Sequence, residues 1–353
     1  MARKRTVLLS LSAMNLLADP RPFYKSLDPL LVWQQLPRPA DWSTVFGRRA
    51  PLTVEIGIGN GEFLARESTA HPERDHVGIE LRWSSVKRSL RNLAHARARA
   101  GGVDTARPTA AAGRGNVRLV MDDAKPVLER LFAPRSIERL FVLFPCPWRK
   151  EQHERLRLFH RDFCELAANR LVDGGEALLV TDWTPYAEWT LGQLPGTALD
   201  VEHRRIDPSF HTKYERKWLA LGRTDFHELR LVKREHRAVP IREESAVNPP
   251  HLTACDLERL APEELLPNGD GALTITFKEI VRDRERQVAM VRTVIVEEPL
   301  TQMVWITVAR DPKDASWWVV PARGCQMIPT AGLQRALERV ADAARRSVPA
   351  DAT

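Results

Sequence analysis

Short apolar runs alternate with helical stretches between residues 52 and 233. The five clearest runs are five or six residues long and rich in Val, Ile and Leu, which favour buried strands. These patterns predict strands at 52–57, 76–81, 117–121, 139–144 and 176–181, and helices near 61–70, 84–99 and 155–171. Strands that alternate with crossover helices predict an α/β fold with a doubly wound, mainly parallel sheet.

The pattern changes after about residue 235. Apolar, β-branched runs predict four further strands, at 273–281, 287–296, 302–309 and 317–320. Apolar positions at Leu333, Leu337 and Val340 predict an amphipathic helix near 330–346, laid on a small antiparallel sheet. We therefore expect an N-terminal segment at 1–50, an α/β domain at 51–237, a proline-containing linker at 238–250 and an accessory α+β domain at 251–353.

Charge is distributed unevenly along the chain. The 353 residues have a formal net charge of +7. Residues 1–240 carry 39 Lys and Arg against 29 Asp and Glu, whereas residues 241–353 carry 14 against 17. A basic portion of this kind favours a polyanionic partner, most simply a nucleic acid. A basic soluble protein without such a partner is the alternative.

The sequence shows no pattern typical of a membrane protein, a disulfide framework or a zinc site. No apolar run approaches the roughly 20 residues that span a bilayer. The apolar stretch near the start is interrupted by Ser10, Ser12 and Asn15, which disfavours a signal peptide. The four cysteines form no CxxC pair. We expect a reduced, cytoplasmic protein that binds neither a metal nor a membrane.

A glycine turn follows the first predicted strand. Gly57, Gly59 and Gly61 stand where this strand passes into a helix, and glycine lets the backbone approach a ligand closely. Glu80, at the end of the second strand, is placed to accept hydrogen bonds from a ribose. Asp122 and Asp123 follow the third strand, where a carboxylate can reach an adenine amino group. A turn without any ligand is the alternative, but acidic residues at neighbouring strand ends favour a nucleoside site.

This turn suits a cationic cofactor better than a dinucleotide. Its spacing is GxGxG, not the GxGxxG of a dinucleotide site. Glu55 lies two residues before Gly57, and its carboxylate would repel a pyrophosphate. S-adenosylmethionine has no phosphate and carries a sulfonium and an ammonium group. The sequence therefore favours S-adenosylmethionine over NAD.

Six segments together resemble the tRNA (guanine-N7)-methyltransferase family, whose members methylate a guanine in the variable loop of tRNA. The segments are E-I-G-I-G-N-G-E-F, G-I-E, D-D-A, F-P-C-P-W-R-K, T-D-W-T-P-Y-A-E and T-K-Y-E-R-K. The resemblance runs from about residue 20 to 234 in the family's order and spacing, and nothing from 240 onward matches. It implies a Rossmann-like fold, S-adenosylmethionine as the methyl donor, tRNA as the partner and N7 of the guanine at position 46 as the acceptor.

The resemblance also implies roles for individual residues, matched segment by segment. The positions that resemble the family's cofactor site are Glu55, Gly57, Gly59, Gly61, Glu80, Asp123 and Cys146. The positions that resemble its substrate site are Lys150, Asp182, Thr212, Lys213, Tyr214 and Glu215. Cys146 and Asp182 stand at its catalytic positions.

The departure from the family lies at Cys146. The family has Pro-Asp-Pro-Trp where this chain has Pro-Cys-Pro-Trp at 145–148. N7 of guanine has a free lone pair and no proton to lose, so attack on a sulfonium methyl needs no general base, and orientation can contribute roughly 7–11 kcal/mol. We therefore expect activity to persist, with Asp182 and Glu215 accepting hydrogen bonds from guanine. The alternatives are a weakened or non-catalytic tRNA-binding homologue and a methyltransferase with an altered RNA substrate.

A basic run at 148–161 follows the fourth predicted strand and holds five Lys and Arg and two His. It is either a ridge that contacts tRNA phosphates or a solvated helix face. Trp148 and Trp183 either stack on a base or wall the pocket. The sequence leaves two questions open: whether the chain is a monomer or a homodimer, and whether the accessory domain grips RNA, binds a partner, caps the enzyme or dimerises it.

Overall fold

The computed structural model describes residues 27–99, 115–263 and 273–348. The chain divides into two compact units, Met1–Pro240 and Ile241–Thr353. Residues 1–26 of the predicted N-terminal segment, including Ser10, Ser12 and Asn15, lie outside the described residues.

Eight strands form the sheet of the first unit: β1 (Leu30–Leu31), β2 (Leu52–Ile56), β3 (Asp75–Ile79), β4 (Val117–Val120), β5 (Ile137–Leu143), β6 (Leu171–Thr181), β7 (Leu199–Ile206) and β8 (Phe226–Lys233). They lie in the order β1-β4-β3-β2-β5-β6-β8-β7. Pairing is parallel from β1 to β6, and β8 runs antiparallel to both β6 and β7. Every residue of β2, β3 and β4 is buried, as in central strands covered on both faces. The predicted doubly wound, mainly parallel sheet is confirmed.

Helices connect these strands, and local sequence sets several of their ends. They are α1 (Trp42–Phe46), α2 (Glu62–Ala70), α3 (Trp83–Arg99), α4 (Ala124–Leu131), α5 (Arg161–Arg170), α6 (Thr184–Gln193) and α7 (Lys213–Ala220). Asp123 caps α4, since its Oδ1 accepts a hydrogen bond from the Lys125 N–H at 2.9 Å. Thr212 caps α7 in the same way. α2 begins directly after the glycine turn, at Glu62.

The helix predicted near 155–171 is wrong at its beginning. Residues Glu151–Leu156 form a 3-10 helix, and α5 begins only at Arg161. Between them Arg157 is almost fully buried and its Nε donates to the Pro147 carbonyl at 3.1 Å, which holds the chain in an extended turn. The next strand is longer than predicted, because β6 begins at Leu171 and passes through Gly174, whose φ is +76°.

The second unit is an antiparallel sheet with a helix on one face. Its strands are β9 (His251–Leu252), β10 (Thr274–Asp283), β11 (Val288–Glu297), β12 (Leu300–Arg310) and β13 (Trp317–Pro321). They lie in the order β10-β11-β12-β13-β9. The helix is α8 (Ala331–Ser347), and Leu333, Leu337 and Val340 are fully buried in the core that it shares with the sheet. The four predicted strands and the helix are confirmed, whereas the two residues of β9 carry no pattern that would predict a strand.

Candidate active site

The loop between β2 and α2 carries three glycines in the left-handed region. The φ angles of Gly57, Gly59 and Gly61 are +73°, +57° and +71°. A Cβ on Gly61 would lie 2.7 Å from the Cβ of Ser89, so the packing of this loop on α3 requires glycine. Glu80, one residue past β3, holds the loop because its Oε2 accepts a hydrogen bond from the Gly59 N–H at 3.0 Å.

Glu55, on β2, is the buried acid beside this loop. Its side chain is 3 % exposed, and its Oε2 has no hydrogen-bond partner among the described residues. Burial raises the pKa of this carboxyl to about 8, and the positive charge of Arg66 offsets only part of that effect. A buried carboxyl with an unsatisfied oxygen, beside a backbone that glycine leaves open, fits a cationic ligand, since a cation would compensate the cost of burying the charge.

A small cavity lies at this loop, and it is nearly closed by residues 209–216, the segment that leads into α7 and includes its first turn. Its free volume is about 20 Å³, enough for about one water molecule. Cε2 of Tyr214 lies 3.8 Å from the position of a Cβ built on Gly59. A nucleoside ligand therefore needs this segment to move outward. The cavity is lined by Glu55, Gly57, Ile58, Gly59, Asn60, Phe63, Leu143, Thr212, Lys213 and Tyr214.

Polar contacts hold this segment against α2. Arg216 donates through Nη2 to both carboxylate oxygens of Glu62, each at 2.8 Å. Arg66 donates through Nη2 to the Phe210 carbonyl at 2.5 Å. Both Arg66 and Glu62 lie on α2, so the helix that follows the glycine loop also anchors the segment that covers it.

Two of the predicted substrate residues shape the beginning of α7. Thr212 Oγ1 accepts a hydrogen bond from the Glu215 N–H at 3.1 Å. Glu215 is 1 % exposed, and its Oε1 accepts hydrogen bonds from the Ser209 and Phe210 N–H groups at 2.7 and 2.9 Å. The T-x-x-E pattern thus acts as a capping motif, and the exposed Lys213 and Tyr214 lie between its two ends.

Asp182 follows β6 and lies next to the Pro-Cys-Pro-Trp turn that follows β5. The two strands are paired in register, with Leu143 opposite Val180, so both turns leave the same edge of the sheet. The Asp182 side chain is 6 % exposed. Its Oδ2 forms a close ion pair with Arg223 and lies 3.8 Å from Nη2 of Arg149.

The turn that presents Cys146 has an unusual backbone. Phe144 and Trp148 have φ angles of +53° and +45°, a region that costs non-glycine residues on the order of 1–3 kcal/mol and is concentrated at functional sites. The Cys146 thiol is exposed between them. The turn therefore displays the side chain at 146 whichever residue occupies it.

The structure brings only some of the predicted residues into one place. Glu80 borders the cavity through Gly59, whereas Cys146 and Asp182 lie at the neighbouring strand ends. Lys150 lines a separate open depression of about 530 Å³. Six predicted residues line the closed cavity itself: Glu55, Gly57, Gly59, Thr212, Lys213 and Tyr214.

The two adjacent acids after β4 have different surroundings. Asp123 caps α4, while the carboxylate of Asp122 accepts hydrogen bonds from Trp33 Nε1 at 2.8 Å and Gln34 Nε2 at 3.2 Å. Burial raises the pKa of Asp122. Asp122 thus ties the segment between β1 and α1 to the end of β4, which the sequence alone did not reveal.

The basic run at 148–161 is partly structural. Arg157 pairs with Glu154 at 3.1 Å and lies 4.9 Å from the centre of the Trp189 ring. Its charge is therefore used inside the fold. Arg149, Lys150 and Arg155 are exposed. Within the ranges that the structure describes, no helix is long and apolar enough to cross a bilayer, and no three His, Cys, Asp or Glu residues are grouped as metal ligands.

The doubly wound sheet with a glycine loop at its edge is accompanied by a direct sequence match. A family model described as a putative methyltransferase matches residues 49–228. The chain is thus a member of the methyltransferases as a class. A 16S rRNA methyltransferase, KamB, has a solved structure that aligns with a TM-score of 0.39 and 16% identity over 54% of this chain and 92% of its own.

Curated relatives define the family more narrowly. A tRNA (guanine-N(7)-)-methyltransferase of Chlorobium phaeobacteroides is 37% identical over 185 residues, which are 52% of this chain and 83% of the relative. A protein of the same name from Cutibacterium acnes is 37% identical over 197 residues, 54% of this chain and 65% of the relative. The chain belongs to the tRNA (guanine-N7)-methyltransferase family.

Proposed function

We propose that this protein is a tRNA (guanine-N7)-methyltransferase, which transfers the methyl group of S-adenosylmethionine to N7 of the guanine at position 46 in the variable loop of tRNA. Membership of the family and the names of the relatives support the reaction. The observation that carries the proposal is the unpartnered, buried oxygen of Glu55 beside the glycine loop, because it fits a cationic methyl donor.

On the cofactor side, each residue has a separate task. S-adenosylmethionine, when bound, supplies a methyl group on a positively charged sulfur. Glu55 compensates positive charge, and the Gly57–Gly61 loop allows the backbone to approach the ligand. Glu80 accepts hydrogen bonds from ribose hydroxyls, and Asp123 lies at the end of the next strand for the adenine.

On the RNA side, the residues orient the base. N7 attacks the methyl carbon with its own lone pair, and the bond from that carbon to sulfur breaks. The base becomes cationic, so no residue has to remove a proton. Asp182 accepts hydrogen bonds from the Watson–Crick edge of guanine, and Lys213 and Tyr214 approach the base from the segment above the cavity. The exposed Arg149, Lys150 and Arg155 contact phosphates.

Cys146 tests how far this reaction depends on a carboxylate at the strand end. Cys146→Asp restores the family's acid in an exposed turn, and it is expected to increase the rate because a carboxylate near the transferring methyl stabilises developing positive charge. Cys146→Ser, which changes neither size nor charge appreciably, is the matched control and is expected to change little.

The assay is mass spectrometry of nucleosides from tRNA transcripts that carry either guanine or adenine at position 46, after incubation with saturating S-adenosylmethionine. N7-methylguanosine formed by the wild type on the guanine transcript alone supports the proposal. Absence of that product contradicts it.

A non-catalytic tRNA-binding homologue is the second candidate, and the missing acid at Cys146 favours it. It predicts that the wild type retards tRNA in a gel but yields no N7-methylguanosine. Gain of product only in Cys146→Asp would identify this case.

A further inference from the structure

The Asp182 carboxylate is held at one oxygen. Arg223 donates from Nη1 to Oδ2 of Asp182 and also lies 3.4 Å from the Asp182 backbone carbonyl. Arg149 approaches the same oxygen at 3.8 Å, with a side chain that is 49 % exposed. In the part of the chain that the structure describes, no donor is bonded to Oδ1 of this carboxylate. The hydrogen bond from Arg223 to Oδ2 thus orients a side chain that is otherwise almost buried, while the contact with the backbone carbonyl holds the guanidinium beside it.

Arg223 is itself anchored to α7. Its backbone N–H donates to the Trp218 carbonyl at 3.0 Å. Its guanidinium carbon lies 4.7 Å from the centre of the Trp218 ring, a cation–π distance. The arginine therefore connects the helix that begins with T-K-Y-E to the end of β6, 41 residues away in sequence.

We propose that Arg223 is a positioning residue for recognition of the substrate base. By holding Oδ2 it directs Oδ1 of Asp182 toward the N1–H and the 2-amino group of guanine, and it compensates the carboxylate's charge in a site that is 6 % exposed. This inference rests on the proposed function. A carboxylate oriented in this way discriminates between bases that have and lack the donor, by about 5- to 150-fold for a good pair of hydrogen bonds.

The test combines a change in the protein with a change of one group in the substrate. Transcripts carry either guanosine or inosine at the acceptor position, since inosine keeps N7 and N1–H but lacks the 2-amino group. kcat and KM for each transcript are measured for the wild type, Arg223→Gln and Arg223→Lys. Arg205→Gln is the control, because Arg205 pairs with Asp225 through an exposed side chain and its loss removes the same charge.

The wild type and Arg205→Gln are expected to prefer guanosine by about 10- to 150-fold in kcat/KM, because inosine lacks one hydrogen bond to a charged acceptor. Arg223→Gln is expected to lower kcat on guanosine by at least about tenfold and to reduce the preference to about twofold or less. Arg223→Lys keeps the positive charge but loses the planar guanidinium that lies on the Trp218 ring, and is expected to regain part of the preference.

Equal losses on both transcripts, with the preference retained, would show that Arg223 only supports the fold and would overturn the proposal. A wild type that methylates both transcripts equally well also overturns it. If Arg223→Gln loses its circular dichroism signal, Arg223→Lys carries the test, and an unchanged preference in that variant decides against the proposal. A wild type that methylates neither transcript instead refutes the proposed function.

Discussion

Replacement of Glu55 by Gln tests the account of the cofactor loop, because it keeps the shape of the side chain and removes only its ionisation. The carboxyl is buried, and its pKa is raised from an ordinary value of 4.5 to about 8. A carboxyl whose pKa is higher in the folded state than in the unfolded state contributes to the free energy of unfolding. Its contribution is complete below pH 4.5 and is lost as pH rises through about 8.

The size of the effect follows from the shift, at about 1.4 kcal/mol for each pKa unit. Relative to the wild type, Glu55→Gln is expected to stabilise the first unit by about 1 kcal/mol at pH 5, about 3 kcal/mol at pH 7 and about 5 kcal/mol above pH 8.5. The gain grows with pH because the wild type must either bind a proton or bury a charge, whereas the amide needs neither.

Urea unfolding of the full chain at these three pH values measures the difference. Cys164 is fully buried in the first unit, so its reaction with a dipyridyl disulfide, located by mass spectrometry, reports the unfolding of that unit alone. A stability difference between Glu55→Gln and the wild type that does not change from pH 5 to pH 8.5 would refute the reasoning.

Three further predictions concern the loop, the second unit and ligand binding. Gly61→Ala is expected to cost about 2–5 kcal/mol of stability in thermal unfolding, since the new Cβ would lie 2.7 Å from a side chain of α3. Gly174→Ala, whose new Cβ would have nothing within 4 Å, is expected to cost about 1–2 kcal/mol. Equal costs would contradict the close packing around Gly61. Leu337→Ala is expected to cost about 2–5 kcal/mol of stability in urea unfolding, because Leu337 is fully buried. Met303→Ala, at a residue that is 63% exposed, is expected to cost less than about 0.5 kcal/mol. A larger loss from Met303→Ala than from Leu337→Ala would show that the core of the second unit is elsewhere. S-adenosylmethionine is expected to bind more tightly as pH rises toward 8, because binding favours the ionised form of Glu55 and releases its proton. Calorimetry in buffers of different ionisation enthalpy measures the released proton. If Glu55→Gln releases a proton as well, the proton comes from another group.

The central strands and the acids at their ends could be predicted from sequence because they depend on local pattern. β2 alternates Leu52, Val54 and Ile56 with two polar residues, a period of two that predicts a strand, although all five residues are buried. β7 offers no such signal, since only Leu199 of its eight residues is buried.

Other features depend on pairs that are distant in sequence. The contact between Arg223 and Asp182 spans 41 residues, and that between Arg216 and Glu62 spans 154. Neither arginine differs in its local sequence from the many others in the chain. The sequence predicted T-K-Y-E as a substrate segment. It did not predict that this segment lies across the glycine loop, because that position also depends on contacts between residues that are distant in sequence.

One short helix serves both halves of the candidate site. The segment at the beginning of α7 places Tyr214 over Gly59, and the turn after its end places Arg223 on Asp182. Eight helical residues extend only about 12 Å, so a ligand that displaces one end of α7 also acts on the contact at the other end. If the cofactor and the base each require that displacement, each must change the affinity of the other by the same factor.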